Sequence, residues 1–497
     1  MNNLPEIIKK AESGDPEAQY EAAIYILYEV KPDNSDAELV DRALGFLKNA
    51  AMSGYNGGEA ALRLGHFFDG NLPVQDYKQA VIWYRTATLK LEPMAYFFLG
   101  LCYYFGKGVE KDFAKAFDCF FKSATQNFIN AYYMLGDMFK KGEFVEHDPV
   151  FAFKLYQYVS NDEMDLFEDY DYKPTYPSIC LRLGEAYLYG IGVERNIEKA
   201  NHYFSEAKEY LSHLVHDETP ELLKLADDAP FDKDFIADTE RTYTLFDSRI
   251  ISESEFIALM TEKLPEYELQ YYPEKELNEL YAANPVIADF DDKTFTEIYD
   301  KVKENNPISM YEIAIICCLG DKNVPGNPAL FDCGVYFLHQ SALRGCKNSV
   351  EMLGLIYHHG KGVIADYAMA LFLYNLSESS LALGQIGVCY AKGQGVEKDY
   401  KKAYQYFVKS LLVGRWSDTE YEDEDNNEFS VSGALSSLDN LHIYGGWIVL
   451  KNLITIYSHL TYFDRDQAFI DFCYDSAEKY QKDNNAKFYG EFYGDGQ

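Results

Sequence analysis

A small motif returns six times along this chain of 497 residues. It consists of an aliphatic residue followed by Gly, an aromatic residue three positions later, a Gly-rich turn ending in Val, then Asp and a Lys-Ala-type helix start. The clearest copy runs Leu99-Gly100, Tyr103, Gly106-Lys107-Gly108-Val109, Asp112, Lys115-Ala116, Phe120 and Ala124. The others are anchored at Leu64-Gly65, Leu135-Gly136, Leu183-Gly184, Leu353-Gly354 and Ile386-Gly387. Adjacent anchors lie about 33–36 residues apart, except where an insertion stretches one interval to about 48. A period of this size, with one helix on either side of a turn, specifies a helical-repeat solenoid in which each unit buries its apolar face against its neighbours.

Within a copy the residues follow helical logic. Ala95, Leu99 and Cys102 share a face of the first helix, helix A, by i, i+4, i+7 spacing. Gly100 in mid-helix costs about 1 kcal/mol against Ala, so its recurrence needs a reason, and close approach of two helix axes supplies one. Gly106 and Gly108 end helix A and permit positive φ, Val109 is expected beneath the turn, and Asp112 is placed to cap helix B. Ala116, Phe120 and Ala124 form the inner stripe of that second helix.

The composition narrows the class further. Hydrophobic residues make up 47% of the chain, enough for a buried core, and 43 Tyr and 33 Phe give that core rings, with Tyr hydroxyls left wet at groove edges. The formal net charge of −35 repels phosphate backbones and anionic headgroups. Nucleic acid and membrane surfaces are therefore poor partners, whereas a basic polypeptide is favoured; the same charge also serves solubility. Nine cysteines without metal-type spacing, two of them adjacent at Cys317-Cys318, read as small buried hydrophobes in a reducing compartment. Residues 1–10 lack an apolar leader core, and no stretch approaches the roughly 18 apolar residues of a membrane span. A cytoplasmic protein is the expectation.

The opening, Leu4-Pro5-Glu6 through Pro16 to Tyr20-Glu21, reappears as Phe295-Thr296-Glu297 through Pro307 to Tyr311-Glu312. This suggests one module used twice. Between the two copies, residues 217–300 hold 23 acidic against 7 basic residues, yet Ser252 to Leu264 and Glu274 to Ala282 keep an amphipathic helical pattern. Asn161 to Tyr172 and Ser417 to Glu428 are acidic loop candidates. The expected organisation is a first array over 1–211, an acidic helical connector over 212–294, and a second array over 295–414. An acidic loop insertion over 415–446 and capping helices with a tail over 447–497 complete it.

These residues resemble the Sel1-like repeat family, related to tetratricopeptide repeats. Its helix A carries Ala…Leu-Gly…Tyr, its turn Gly-x-Gly-Val and its helix B Asp…Lys-Ala…Tyr…Ala. Gly190-Ile191-Gly192-Val193, Gly360-Lys361-Gly362-Val363 and Gly393-Gln394-Gly395-Val396 match this turn fully. Gly70-Asn71-Leu72-Pro73-Val74 departs from it, and Gly142-Glu143-Phe144-Val145 lacks the second Gly. Matching copies cover about 57–211 and 347–414, with 1–56 and 306–346 as divergent ones. The resemblance implies an all-α solenoid and an adaptor that assembles protein complexes; some bacterial members are implicated in host interaction or envelope processes.

Catalytic patterns are weak by comparison. Gly100 to Gly106-Lys107 and Gly354 to Gly360-Lys361 have the wrong spacing for a phosphate loop, and no Ser or Thr follows the Lys. Cysteine-rich relatives have carried a β-lactamase label, and Ser205-Glu206-Ala207-Lys208 and Ser476-Ala477-Glu478-Lys479 fit Ser-x-x-Lys. Neither is accompanied by Ser-Asp-Asn or Lys-Thr-Gly. A β-lactamase-like hydrolase and an envelope- or host-interaction component are the competing readings. His213 and His216, next to Asp217 and Glu218, read as a solvated face, and His358-His359 can scarcely both point to one ion. No metal or cofactor is expected.

Positions that stack repeats must recur, while positions facing a groove are free to differ. Just before the aliphatic residue the copies show Arg63, Phe98, Met134, Arg182, Met352 and Gln385; just after the Gly they show His66, Leu101, Asp137, Glu185, Leu355 and Val388. The two positions are three apart and share one face of helix A. They are the candidate contacts for a protein or peptide bound along the solenoid; repacked contacts between repeats are the alternative account of the same variation.

Overall fold

The computed structural model describes residues 4–30, 37–53, 56–70, 75–126, 128–162, 175–214, 253–267, 269, 272–287, 293–319, 330–377, 379–414, 421–422, 429–430, 452–453, 455–456, 459–460, 466–473 and 475. The chain divides into two compact units, one of Met1–Ile250, Trp416–Asn440 and Thr461–Tyr480, the other of Ile251–Arg415, Leu441–Leu460 and Gln481–Gln497.

The first unit opens with α1 (Leu4–Glu12), α2 (Pro16–Ile24), a π-helical run at Tyr25–Val30 and α3 (Ala37–Ser53). Four helix pairs follow. They are α4 (Gly57–Asp69) with α5 (Tyr77–Thr88), α6 (Pro93–Phe105) with α7 (Phe113–Thr125), α8 (Asn130–Lys141) with α9 (Pro149–Asp162), and α10 (Thr175–Tyr189) with α11 (Ile197–Leu214).

The second unit begins with α12 (Glu253–Lys263) and α13 (Glu274–Ala283), then β1 (Val286–Ile287) paired antiparallel with β2 (Lys293–Thr294). After α14 (Phe295–Lys303) come the pairs α15 (Pro307–Leu319) with α16 (Phe331–Ala342), α17 (Lys347–His359) with α18 (Tyr367–Ser377), and α19 (Ser380–Lys392) with α20 (Tyr400–Gly414). Phe256, Met260, Leu264 and Leu277 share one apolar cluster with Phe295, Ile298 and the pairs beyond, so the helical half of the acidic connector forms part of this unit's core.

The helix-A glycine has a specific partner. A Cβ built on Gly100 would lie 2.6 Å from Cε1 of Phe120 on α7. The same ring-on-glycine contact joins Gly136 to Tyr156, Gly184 to Phe204, Gly354 to Tyr374, Gly387 to Phe407 and Gly65 to Tyr84. Four residues before each ring stands an alanine with no exposed surface: Ala80, Ala116, Ala152, Ala200, Ala370 and Ala403. One turn of helix B therefore presents a methyl group and then a ring to helix A, and the ring lies where any side chain on the glycine would have to go.

Backbone bonds lock the turn between the helices. The Asp112 N–H donates to the Tyr103 carbonyl at 3.0 Å, and Asp76, Asp148, Asn196, Asp366 and Asp399 do the same to Phe68, Phe139, Tyr187, Tyr357 and Tyr390. The Asp112 carboxylate then accepts from Ala114 and Lys115 N–H, capping α7. Gly108 has φ +71°, and a Cβ there would run into the Tyr77 carbonyl at the start of the preceding helix B. At the corresponding position of the next turn stands Phe144, left-handed at φ +69°, with its ring 5.6 Å from Phe117 of the preceding helix B. The lysine of the Lys-Ala pair lies over the motif aromatic of helix A: Lys115 over Tyr103 at 5.6 Å, Lys199 over Tyr187 and Lys402 over Tyr390 at 5.4 Å.

Some expectations shift. Val145 is buried, but Val109, Val193, Val363 and Val396 are half-buried beside their turns. Several core tyrosines bond to protein groups rather than keeping wet hydroxyls: Tyr84 donates to Asp69, Tyr132 to the Ala124 carbonyl and Tyr156 to Asp137. In the acidic insertion, β3 (Tyr421–Glu422) pairs with β4 (Phe429–Ser430). Residues 466–473, expected with the rest of the tail to end the second array, supply Phe469 to the aromatic packing of α6 and α7 in the first unit.

The ring contact yields a double-substitution test. Gly100→Ala should destabilise by about 1–3 kcal/mol through overpacking. Gly142→Ala meets its nearest neighbour only at 3.4 Å and should cost about 1–2 kcal/mol for its left-handed backbone alone. Adding Phe120→Leu to Gly100→Ala should recover about 0.5 kcal/mol or more relative to additivity, whereas Phe120→Leu with Gly142→Ala should be additive. Urea-melt midpoints of the variants decide this, and additivity in both cycles would refute the ring-on-glycine account.

Candidate interaction surface

The variable helix-A positions divide by burial. Met134, Asp137, Leu355 and Gln385 are buried, while Arg63, His66, Phe98, Leu101, Arg182, Glu185, Met352 and Val388 are half-buried. They also pair, along a diagonal. At two junctions the residue after the glycine of one repeat meets the residue before the aliphatic position of the next. His66 of α4 stands edge-on to Phe98 of α6 with ring centroids 4.4 Å apart, and Tyr84 stacks on the same Phe98 at 5.6 Å. Asp137 of α8 receives both arms of Arg182 of α10, Nε to Oδ1 at 2.7 Å and Nη2 to Oδ2 at 2.6 Å. The Tyr156 hydroxyl adds a third donor at 2.8 Å, and the Arg182 guanidinium lies over the Tyr133 ring at 4.8 Å.

Burial sets the electrostatics of these joints. It would push the Asp137 carboxyl up, but the Arg182 guanidinium and the Tyr156 hydroxyl hold it below its usual value. Burial, helped by the Arg63 charge, lowers His66 to about 4, and His66 Nε2 is buried with no hydrogen-bond partner among the described residues. The wetter edge of the surface carries looser pairs. Arg63 Nε contacts Glu59 at 2.6 Å with both side chains about a third exposed (33% and 31%), and Lys140 reaches a 45% exposed Glu185 at 2.7 Å. Such pairs contribute about 0–1 kcal/mol each.

The candidate chemistries occupy ordinary repeat positions. Ser205 Oγ donates to the Asn201 carbonyl at 2.8 Å, while Ser476, Lys479 and the side chains of His213 and His216 lie outside the described residues. Lys107 of the glycine turn lies over the Tyr77 ring at 5.4 Å. His358 is buried with Nδ1 3.8 Å from Cys389 Sγ, and His359 is exposed. Among the described residues no group of His, Cys, Asp and Glu could hold a metal ion, and no helix is long and apolar enough to cross a membrane.

Stacked helix–turn–helix units with one recurring glycine–ring contact define an α-solenoid repeat protein. The Sel1 repeat model matches seven stretches, 58–90, 93–128, 129–158, 178–209, 307–346, 349–379 and 377–411, and the chain belongs to the Sel1 repeat family. Members of this family are generally protein–protein interaction scaffolds and typically non-catalytic. The matched stretches include the divergent copy near 307–346 and begin at residue 58. Among solved structures, a protective antigen of uropathogenic Escherichia coli strains with an SLR fold is 20% identical, at a TM-score of 0.31 over 99% of this chain and 96% of that one. A Sel1 repeat protein from Oxalobacter formigenes is 18% identical, at a TM-score of 0.31 over 84% and 90%. Comparison with curated proteins found no match.

Two measurements probe the joints. Asp137→Asn should destabilise by about 2–3 kcal/mol, less than the roughly 3–5 kcal/mol of a fully buried pair because Arg182 keeps 23% exposure. Asp137→Leu with Arg182→Met should restore much of it, and equal losses in both would deny the pair its role as a joint. Because His66 titrates near 4 when folded and near 6.5 when unfolded, its contribution is intact above pH 6.5 and is lost as the pH falls toward 4. His66→Gln should therefore flatten the fall in melting temperature over that window, and an unchanged slope would rule His66 out.

Proposed function

We propose that this protein is a non-enzymatic cytoplasmic scaffold that binds a polypeptide, with basic character, along the helix-A faces of its repeats. The observation that carries the reading is the division of labour within helix A. One set of residues is nearly invariant from copy to copy and builds the stack, while the flanking positions change identity and eight of the twelve keep partial exposure. His66 with Phe98 and Asp137 with Arg182 hold neighbouring repeats together. Arg63, Leu101, Glu185, Met352 and Val388 remain as the contacts offered to a partner. Many weak contacts along successive repeats sum to useful affinity without a single deep pocket. The net charge of −35 speeds encounter with a basic chain.

The test is affinity capture followed by binding measurements on the purified partner. Arg63→Ala, Leu101→Ala and Glu185→Ala together should weaken binding about tenfold or more (about 1.4 kcal/mol or more) while leaving the melting temperature close to that of the parent. Raising salt to 1 M, where the screening length falls to about 3 Å, should weaken binding again. Normal affinity in the triple variant would place the partner elsewhere. Affinity indifferent to salt would leave the acidic surface to solubility alone. Turnover of a chromogenic β-lactam by the parent chain would overturn the non-enzymatic reading.

A further inference from the structure

The face of the first unit formed by α6 and α7 already holds a peptide, and the peptide belongs to this chain. Residues 467–473 are helical, and Asp466 caps them by accepting the Phe469 N–H at 3.0 Å. The other oxygen of that carboxylate accepts from the Tyr96 hydroxyl at 2.8 Å and from Lys122 Nζ at 3.3 Å. Phe469 is 2% exposed, with its ring 6.5 Å from Tyr96 and 6.3 Å from Phe121, and the Lys122 ammonium lies 5.3 Å over it. One helical turn further on, Cys473 is buried as well. The neighbours Gln467 and Asp471 face solvent.

The receiving face buries charge. Lys122 and Asp118 sit one turn apart on α7, 2.8 Å from each other, with side chains only 4% and 6% exposed. Burial works against the ammonium, and Asp118 with Asp466 more than offsets it and keeps Lys122 charged. Asp466 thus supplies Lys122 with a second anion and the Tyr96 hydroxyl with an acceptor at 2.8 Å, closer than the Thr88 carbonyl at 3.2 Å. A helical run this short is marginal on its own in water, where isolated helices below roughly 12–15 residues barely form. Its order depends on the face it lies against. Tethering to the same chain raises its local concentration and lets a weak contact persist.

We propose that this α6–α7 face is a recognition site for a short helical peptide with a capping carboxylate, an aromatic side chain three residues on and a small apolar side chain seven residues on. Residues 466–473 fill it as an internal ligand that a partner of the same pattern displaces. The face stands on the contacts above, and the displacing partner rests on the scaffold reading. Charge complementarity selects the acid, because a partner without it would take the Asp466 carboxylate away from Lys122 and put nothing of like charge in its place. The ring selects the aromatic position, since it completes the cluster of Tyr96, Phe121 and Lys122.

The probe is a fluorescent synthetic peptide of residues 464–476 carrying Cys473→Ser, titrated into the full chain and into full-length Phe469→Ala. The variant, freed of its own ligand, should bind the probe at least tenfold more tightly than the parent, and Asp466→Ala or Phe469→Ala in the probe should cost at least tenfold. Tyr96→Phe in the receiving chain, which keeps the ring and removes the donor, should also weaken binding, with circular dichroism confirming the fold. In the parent, excess probe should raise maleimide labelling of Cys473, mapped by mass spectrometry. The inference is overturned if the probe binds neither chain, binds both equally, or leaves Cys473 labelling unchanged. If the captured partner responds to the helix-A substitutions but not to the probe, the inference falls and the scaffold reading stands. If the probe behaves as expected while the chain captures no polypeptide, the internal site stands and the scaffold reading falls.

Discussion

A ring lying on a glycine sets the geometry of every regular repeat in this protein. Removing the side chain from one helix-A position lets an aromatic from helix B approach that backbone directly, which fixes the separation and rotation of the two helices together. The buried alanine four residues earlier keeps the same close distance along helix B. The bond from the capping residue to the aromatic carbonyl then fixes the length of the connecting turn. Where the connection is longer, between Leu319 and Phe331, the arrangement reverses. Gly334 is on helix B, and Cys318 and Ala314 of helix A crowd the space beside it.

Much of this was legible in the sequence because it is local and repeated. The Leu-Gly pairs, the glycine turns and the capping aspartates all lie where the period put them. The repeated opening also resolves: Asp15 caps α2 and Asn306 caps α15 one residue before matching prolines. The amphipathic stretches in the acidic connector formed helices, since a 3.6-residue apolar period survives an acidic composition. What stayed hidden was pairwise. Nothing in Gly100 names Phe120 as its partner. The variable helix-A residues look like free choices when read down one column of aligned copies. Read diagonally, from His66 to Phe98 and from Asp137 to Arg182, they are complementary pairs. The docking of Asp466 on Lys122 had no local period to reveal it, because Asp118 and Lys122 lie two positions off the Ala116, Phe120 and Ala124 stripe, where an acid and a lysine one turn apart read as a solvated pair.

Charge is handled differently inside and outside. Among the described residues, Lys122 and Arg182 are held inside against carboxylates and rings. Outside, several lysines lie along aromatic faces of the preceding helix. Those rings shelter the lysine stems and keep part of the small positive complement close to the backbone. The chain as a whole carries 80 acidic against 45 basic residues.

The two kinds of connection in a repeat differ in how constant their length is. The link from helix A to helix B is pinned at both ends, by the capping bond and by the contact of Gly108 with the preceding helix B. The link from helix B to the next helix A varies in length, from residues 89–92 after α5 to residues 163–174 after α9, and the short ones are tied by backbone bonds such as Glu92 N–H to the Ala87 carbonyl. Between α9 and α10 the chain spends residues 163–174 there, while the ring-on-glycine contacts of Gly136 and Gly184 on either side are intact. The junction between α9 and α10 is a splice point, where new sequence can be acquired, or a foreign epitope grafted, without retuning the neighbouring stack.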